Sequence, residues 1–271
     1  MLPRYSSATC ATVSSANRRN LQRAVRIVRE GIRLDDLHDD RRDVVQPTAP
    51  VRLRDQRLHL ALRQRRGAEE LRQAAKAIKD HTLAHLDTYL LRLEANVTRA
   101  GGHVHWAAGA DEANAIVAGL VRGAGADGIV KVKSMATQET GLNEALAADG
   151  ITALETDLAE LIVQLGHDRP SHILVPAIHR NRAEIREIFR SRMPDAPAGL
   201  TDDPQALAAA ARAHLRRAFL SAQVGVSGAN FAIAETGSLV VVESEGNGRM
   251  CVTLPRTLIS VVGIEKVLPS W

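Results

Sequence analysis

Cysteine is almost missing from this 271-residue chain, which contains only Cys10 and Cys251. Two isolated thiols form neither a disulfide framework nor a common metal site, so no metal site is expected. A [4Fe–4S] cluster takes about four cysteine ligands, and no cofactor is therefore expected in this chain by itself. Long apolar runs are also lacking. None approaches the roughly 20 residues needed to cross a bilayer, which excludes a membrane span.

Lysine is scarce as well, since only five of the 35 basic residues are lysines. The net charge of +4 arises in residues 1–34, where seven arginines accompany a single acid, Glu30. Without that segment the chain is close to neutral, which argues against nucleic acid as its main partner. The segment lacks the apolar stretch of a secretory signal, so a cytoplasmic location is expected. Its composition also mimics a mitochondrial transit peptide, which is the less favoured alternative.

The pattern along the chain divides it into three parts. Residues 1–47 end in a charged run bounded by prolines, and they are interpreted as a disordered or non-native basic extension. Residues 101–271 are predicted to form the main α/β domain. Residues 48–100 are predicted to be an N-terminal helical segment, because leucines recur at spacings of three and four at Leu83, Leu86, Leu90 and Leu93.

Strands and helices alternate after residue 101. Strand-like stretches are followed by helical stretches at the spacing that βαβ units need, and further strands follow in quick succession. This alternation predicts a parallel sheet that is covered by helices on both faces and gains additional strands late in the chain. The strands are expected at 102–107, 128–133, 151–155, 172–176, 224–234, 237–244, 250–254 and 258–262.

Lys131 and Lys133 lie two residues apart near the end of a predicted strand, so both point to the same face. Ser134 follows them, just before a predicted helix. Ligands of open parallel sheets bind beyond the carboxyl ends of strands and close to helix N-termini. The three residues are therefore predicted to bind a phosphate or a carboxylate. The alternative is a solvated strand face on which Ser134 merely caps the helix.

Two further residues are candidates for acid–base chemistry. His179 follows the end of the predicted strand 172–176. If the sheet is parallel, this strand end lies at the edge of the sheet where catalytic residues are expected. Glu139 lies about one helical turn after Lys133, where it would pair with a lysine or transfer a proton. For each residue the alternative is purely structural: a histidine satisfied within the fold, or a glutamate on an exposed helix face.

Two glycine-containing loops late in the chain also carry polar groups. The loop Glu235-Thr236-Gly237 lies between apolar strands, and a plain hairpin does not need a carboxylate there, so Glu235 is predicted to be catalytic. Thr236 and Gly237 are expected to contact the ligand with it. The loop 245–249 has two interpretations: Asn247-Gly248 favours a tight hairpin, and Asn247 with Arg249 is also suited to an anion.

Many short blocks in one order resemble the lactate-utilisation (LUD) domain family, and most closely the N-terminal half of its iron–sulfur-binding subunit. The resemblance runs from about Val51 to Trp271. It rests on blocks that include Gly101-Gly-His-Val104, Lys131-Val-Lys-Ser-Met135, Leu142-Asn-Glu144, Glu155-Thr-Asp157, Pro170-Ser-His172, Ala229-Asn-Phe-Ala-Ile-Ala234, Thr236-Gly237, Glu245-Gly-Asn-Gly-Arg249 and Leu254-Pro-Arg-Thr257.

The resemblance implies a Rossmann-like sheet similar to that of the sugar-phosphate isomerase and CoA-transferase group. It also implies a role in bacterial oxidation of L-lactate to pyruvate, together with other lactate-utilisation subunits and a small carboxylate ligand. Full-length relatives are expected to carry [4Fe–4S] clusters in a cysteine-rich half that this sequence does not contain. Two alternatives remain open: a stand-alone module that binds an anionic metabolite, and a CoA-transferase-like enzyme that uses Glu235 as its nucleophile.

Overall fold

The computed structural model describes residues 9–14, 67–243 and 245–271. Its continuous part begins with two helices, α1 (Ala68–Ala84) and α2 (Leu86–Arg99). The leucine spacing predicted helical structure here, and α2 buries Leu93 of that leucine pattern together with Val97. The rest of the N-terminal helical segment, residues 48–66, lies outside the described residues.

A six-stranded sheet forms the centre of the described chain. Its strands are β1 (Thr9–Ser14), β2 (Gly102–Ala107), β3 (Gly128–Lys131), β4 (Thr152–Glu155), β5 (Val224–Ser227) and β8 (Thr257–Gly263). Their spatial order is β2-β1-β8-β5-β3-β4. Because β8, β5, β3 and β4 are parallel neighbours, their carboxyl ends lie at one edge of the sheet.

Helices cover both faces of this sheet, which confirms the predicted α/β fold. They are α3 (Ala110–Gly123), α4 (Met135–Glu139), α5 (Leu142–Ala148), α6 (Leu158–Leu165), α7 (Arg182–Arg192), α8 (Pro204–Ser221) and α9 (Asn247–Thr253). Ile129 packs in the core beneath α3 and α5, whereas its neighbour Val130 packs with Phe219 and Cys251 of α8 and α9. Among the described helices, none is long and apolar enough to cross a membrane.

A second, smaller sheet lies against the N-terminal helices. It contains β6 (Phe231–Ile233), β7 (Ser238–Val240) and β9 (Val267–Leu268), with β6 in the middle. Ala232 and Val267 of this sheet pack with Leu93 and Val97 of α2. The sequence predicted one strand over 224–234, but the chain leaves the main sheet after Ser227 and enters the small sheet at Phe231.

The strand Thr9–Ser14 lies within the segment that is predicted to be a disordered or non-native basic extension. It pairs along its whole length with β2 on one side and with β8 on the other, antiparallel to both. Its sequence, Thr-Cys-Ala-Thr-Val-Ser, has no charge and is rich in the β-branched residues that strands favour. The remainder of the predicted extension, residues 1–8 and 15–47, lies outside the described residues.

The strand predicted over residues 172–176 is wrong, because this stretch forms a loop. The outer edge of β4, where such a strand would pair, is already bonded by a side chain. Gln164 of α6 accepts from the backbone N–H of Glu155 at 3.0 Å and donates to the carbonyl of Ala153 at 2.7 Å. The glutamine amide therefore satisfies the groups that a neighbouring strand would otherwise bind.

The strand predicted over residues 250–254 is also wrong, since these residues belong mainly to α9. Gly246 precedes the helix with a φ of 88°, in the left-handed region that glycine adopts at little cost. Cys251 is buried in α9, and its carbonyl packs directly against Gly225 of β5, where a side chain would collide. Packing on the sheet thus outweighs the strand propensity of the Cys251-Val-Thr253 stretch.

Candidate functional site

A cleft of about 700 Å3 opens at the carboxyl ends of β3 and β4. Residues of α4, α5 and α6 and of the loop after α6 complete its walls. Open parallel sheets bind ligands at this edge. The lining groups whose chemistry matters most are Lys131, Lys133, Asn143, Glu155, Glu160 and Ser171.

Lys131 ends β3, and its side chain is only 4% exposed. The parallel register places it directly beside Glu155, the last residue of β4. Its Nζ lies 2.8 Å from Glu155 Oε1 and 3.3 Å from Thr137 Oγ1. A buried ammonium needs such partners, because an unpaired buried charge is strongly unfavourable. Lys131 is therefore one half of a buried ion pair, and its predicted contact with an anion stays a prediction.

Glu155 is bound on one oxygen and open on the other. Asn143 of α5 donates its Nδ2 to Glu155 Oε1 at 2.7 Å. Glu155 Oε2 and Asn143 Oδ1 are both buried, and neither accepts a hydrogen bond from any described residue. Buried acceptors without a donor are costly. A hydroxyl or ammonium group bound in the cleft would satisfy them.

Lys133 lies nearer the surface of the same cleft, with 27% of its side chain exposed. Its Nζ lies 2.6 Å from Glu160 Oε1 and donates to the carbonyl of Ile173 at 2.8 Å. Its backbone N–H donates to Asp157 Oδ2 at 2.7 Å. Each cleft lysine therefore has its own glutamate, so the two pairs together are close to electrically neutral.

Ser134 caps α4, as the alternative interpretation of the sequence predicted. Its Oγ faces the backbone N–H of Thr137 at 3.5 Å, and its carbonyl accepts from Thr137 Oγ1 at 2.9 Å. Gly228 packs so closely that a Cβ built there would lie 2.5 Å from Ser134 Oγ. Ser134 still lines the cleft beside Lys133, so capping and ligand contact are compatible.

His179 lies in the loop after α6 and holds two partners with its two ring nitrogens. Nε2 lies 2.6 Å from Asp168 Oδ2, and Nδ1 lies 2.7 Å from Ser171 Oγ. Arg180 donates to the same aspartate oxygen from Nε at 3.0 Å and from Nη2 at 2.6 Å. Hydrogen bonds from His179, from the backbone of Arg169 and from Arg180 hold the pKa of Asp168 well below its ordinary value. Asp168 and Ser171 both line the cleft.

Glu139 lies at the end of α4 and is exposed. It is not among the residues that line the cleft in the described structure, although Gln138 beside it is. Gly141, with a φ of 65°, separates α4 from α5. The structure therefore does not bring Glu139 to Lys133.

The Glu235-Thr236-Gly237 loop lies on α2, away from the lysines. Asn96 of α2 donates its Nδ2 to the carbonyls of Ala234 and Glu235 at 2.7 and 2.8 Å. Thr236 Oγ1 donates to Ser238 Oγ at 2.9 Å. In the described structure the exposed Glu235, which is predicted to be catalytic, lines neither of the two clefts to which Lys133 contributes.

A second cleft, of about 550 Å3, lies beside the first at the carboxyl ends of β3, β5 and β8. Asn247 lines it and donates from Nδ2 to Thr156 Oγ1 at 3.3 Å. Arg249 is exposed and lies 3.9 Å from Glu243 Oε1. Both residues belong to α9, so the hairpin interpretation of this loop is wrong. Burial, together with Asp157 and Glu160, raises the pKa of the neighbouring Glu245.

The sequence identified the lysines of the cleft but not the residues that pair with them. Glu155, Glu160 and Asn143 are absent from the sequence-based candidates, although Glu155 ends the predicted strand 151–155 and Lys131 lies near the end of the predicted strand 128–133. Parallel strands that end together bring such residues side by side, and that signal was available in the sequence. Asp168 and Ser171 gave no comparable signal, because they lie in a loop whose course depends on α6 and α7.

Comparison with known proteins places the chain in a family. The LUD domain model matches residues 90–271. The chain is 47% identical over 206 residues to "Lactate utilization protein B" of Shouchella clausii, covering 75% of this chain and 42% of that protein. It is 44% identical over 224 residues to the protein of the same name from Bacillus subtilis, covering 82% and 46%.

A third relative carries a different name. The chain is 44% identical over 204 residues to "Uncharacterized electron transport protein YkgF" of Escherichia coli, covering 75% of this chain and 42% of that protein. The chain thus spans about half the length of the curated relatives it matches. No solved structure matches it. Since the family model covers well over half of the sequence, the chain belongs to the LUD domain family.

Proposed function

We propose that this chain is the LUD-domain part of a lactate-utilisation protein, and that it works with other lactate-utilisation subunits in a cytoplasmic oxidoreductase complex that converts L-lactate to pyruvate. In this proposal the cleft at β3 and β4 binds the small carboxylate. The names of the relatives support the pathway, and the chemistry of the cleft supports the ligand. Neither a nucleic acid nor a membrane is part of the proposal.

The observation that carries the ligand assignment is the arrangement of Lys133 and Glu155 in one cleft. Lys133 is partly exposed, and one of its bonds goes to a loop carbonyl, that of Ile173, which a ligand carboxylate would replace. Glu155 Oε2 and Asn143 Oδ1 accept no hydrogen bond from the described residues. The hydroxyl of a 2-hydroxy acid would donate one to them. A cation and buried acceptors in the same cleft therefore suit a small hydroxycarboxylate.

The iron–sulfur chemistry implied for the full-length relatives does not fit the residues of this chain. Its two cysteines are fewer than the roughly four that a [4Fe–4S] cluster takes. Cys251 is fully buried within α9. What this chain contributes in the proposal is binding and orientation of the ligand, while electron transfer belongs to other polypeptide segments or subunits.

Ligand binding by the isolated protein tests the proposal. Titration calorimetry with L-lactate and with pyruvate is expected to show saturable binding of at least one of them. Lys133→Ala and Glu155→Gln are expected to weaken that binding by tenfold or more, an effect of about 1.4 kcal/mol or above. Lys76→Ala, which removes an exposed lysine paired with Asp80 on α1, is the matched control and is expected to bind normally.

The competing candidate is a stand-alone module that binds another anionic metabolite. It is supported by the two ion pairs of the cleft, because in the described structure both partners of each pair come from this chain and no second subunit is needed to form them. Binding of a nucleotide or a sugar phosphate, with no response to lactate or pyruvate, would favour it over our proposal. The CoA-transferase-like alternative requires a covalent acyl-CoA adduct on Glu235, and that exposed residue lines neither cleft of the described structure.

A further inference from the structure

Ser171, His179 and Asp168 form an unbroken row of hydrogen bonds at the rim of the first cleft. Ser171 Oγ lies 2.7 Å from His179 Nδ1, and His179 Nε2 lies 2.6 Å from Asp168 Oδ2. A hydroxyl, an imidazole and a carboxylate in this order are the groups that activate a serine nucleophile. The hydroxyl end of the row lines the cleft.

The row is anchored at its carboxylate end in a helix. Arg180 binds Asp168 through two nitrogens and also reaches Glu184 Oε1 at 3.4 Å. Glu184 and Asn181 form a reciprocal capping box that fixes the first turn of α7. The aspartate is therefore held on three sides by His179, Arg180 and the backbone of Arg169.

This arrangement defines the tautomer of the imidazole. Asp168 is ionised at neutral pH, since its pKa is held far below the ordinary value, first by His179. An ionised carboxylate only accepts hydrogen bonds, so His179 Nε2 carries the proton that faces it. In the neutral ring Nδ1 is then an acceptor for the proton of Ser171 at 2.7 Å, while the carbonyl of Pro176 is a second acceptor for the same proton at 3.1 Å.

We propose that Ser171 is a nucleophile for acyl transfer, with His179 as its general base and Asp168 as the residue that orients the base, and that it acts on small carboxylic esters or thioesters that enter the cleft. This activity goes beyond lactate binding. It does not depend on that binding, so a failure to bind lactate leaves it standing.

The proposed reaction needs no oxidant or additional cofactor. As Ser171 Oγ bonds to the acyl carbon, its proton passes to His179 Nδ1. The bond to the leaving alcohol or thiol then breaks, and that group takes the proton from His179. Water attacks the acyl-serine in the same way and restores the serine. Negative charge on the acyl oxygen develops in the cleft that the Lys133 ammonium also lines, and the cation stabilises it.

Reaction of the full chain with p-nitrophenyl acetate tests the proposal. We expect release of p-nitrophenol and, at early times, an acetyl group that peptide mass spectrometry locates on Ser171. Ser171→Ala is expected to lower the rate to that of the remaining surface groups. His179→Ala is expected to lower it about 100-fold, the usual scale for loss of a general base. After the imidazole-catalysed rate without protein is subtracted, added imidazole should restore part of the rate to His179→Ala but none to Ser171→Ala.

Ser191→Ala is the matched control, because Ser191 is a serine whose Oγ donates to a helix carbonyl, that of Glu187, at 2.7 Å. It is expected to react like the unaltered chain. Acetylation confined to lysines, or equal rates for the unaltered chain and for folded His179→Ala, would overturn the proposal. In that case the row would only hold the loop in place. Far-ultraviolet circular dichroism establishes that each variant is folded.

Discussion

The ammonium of Lys131 lies 2.8 Å from the carboxylate of Glu155, and the two side chains are only 4% and 10% exposed. Their Cα atoms are partners in the parallel ladder between β3 and β4. The pair therefore joins the ends of two adjacent strands at the edge where the cleft opens. Both the stability of this sheet edge and the polar chemistry of the cleft therefore depend on the contact between Lys131 and Glu155.

Removal of one member of this pair is expected to destabilise the fold strongly. Lys131→Met or Glu155→Gln leaves a buried charge without its partner, which costs about 3–5 kcal/mol. The double variant is expected to recover most of that loss, because no uncompensated charge remains. Urea unfolding of the single and double variants measures the coupling. Lys76→Met breaks an exposed pair and should cost less than about 1 kcal/mol.

A coupling near zero would contradict this expectation. It would mean that water or another group solvates each charge independently, and Lys131 would then be available to bind an anion directly. The stability measurement thus also decides which lysine of the cleft is the better candidate for a ligand carboxylate.

Gly237 is expected to tolerate no side chain. Its φ is 70°, and a Cβ built there would lie 2.5 Å from the backbone nitrogen of Val97 on α2. Gly237→Ala should combine the left-handed penalty with a backbone collision and cost about 2–5 kcal/mol. Gly150 has a similar φ of 74° but nothing within 4 Å, so Gly150→Ala should cost only about 1–2 kcal/mol.

Chemical denaturation of the two glycine variants measures this difference. Equal losses would show that the loop and α2 separate easily, and that Gly237 is there for its backbone angle alone. A larger loss at Gly237 would show that the family-like Thr236-Gly237 block serves the packing of the small sheet on α2.

The sequence predicted the alternation of strands and helices and placed both cleft lysines at the correct edge. Those inferences use local patterns, namely a period of two in strands and helix starts after them. It could not show that Glu235 lies in a turn of a second sheet, since the chain changes sheets between Ser227 and Phe231 without a change in composition. Nor could it show that Gln164 would occupy the edge of β4. Both facts depend on contacts between distant segments.

Asp168 should make the stability of the protein depend on pH in the acid range. Its folded pKa lies below its unfolded value, so its contribution is fully present above the unfolded value of about 3.9 and is lost as the pH falls through the folded pKa. Asp168→Asn is therefore expected to be less stable at pH 7, and the difference should shrink below about pH 4.

Urea unfolding at several pH values between 3 and 7 measures this dependence. Asp202→Asn, a change at an exposed aspartate, is the control and should leave the pH profile of stability almost unaltered. The stability difference for Asp168→Asn could instead be as large at pH 3 as at pH 7. That result would show that Asp168 stabilises the fold through packing and not through its charge.

Cys251 is expected to be inert towards thiol reagents while the protein is folded. It is fully buried, and its burial raises the pKa of the thiol to about 12. Only the thiolate reacts, and at pH 8 a thiol of that pKa is ionised in about one molecule in 10,000. In a Cys10→Ser background, Ellman's reagent should therefore give no colour with the folded chain and one equivalent after denaturation in urea. Cys10→Ser with Cys251→Ser is the blank. Rapid reaction of the folded chain would show that α9 lifts from β5 on the timescale of the assay, and the packing of Cys251 against Gly225 would then not be a permanent part of the core.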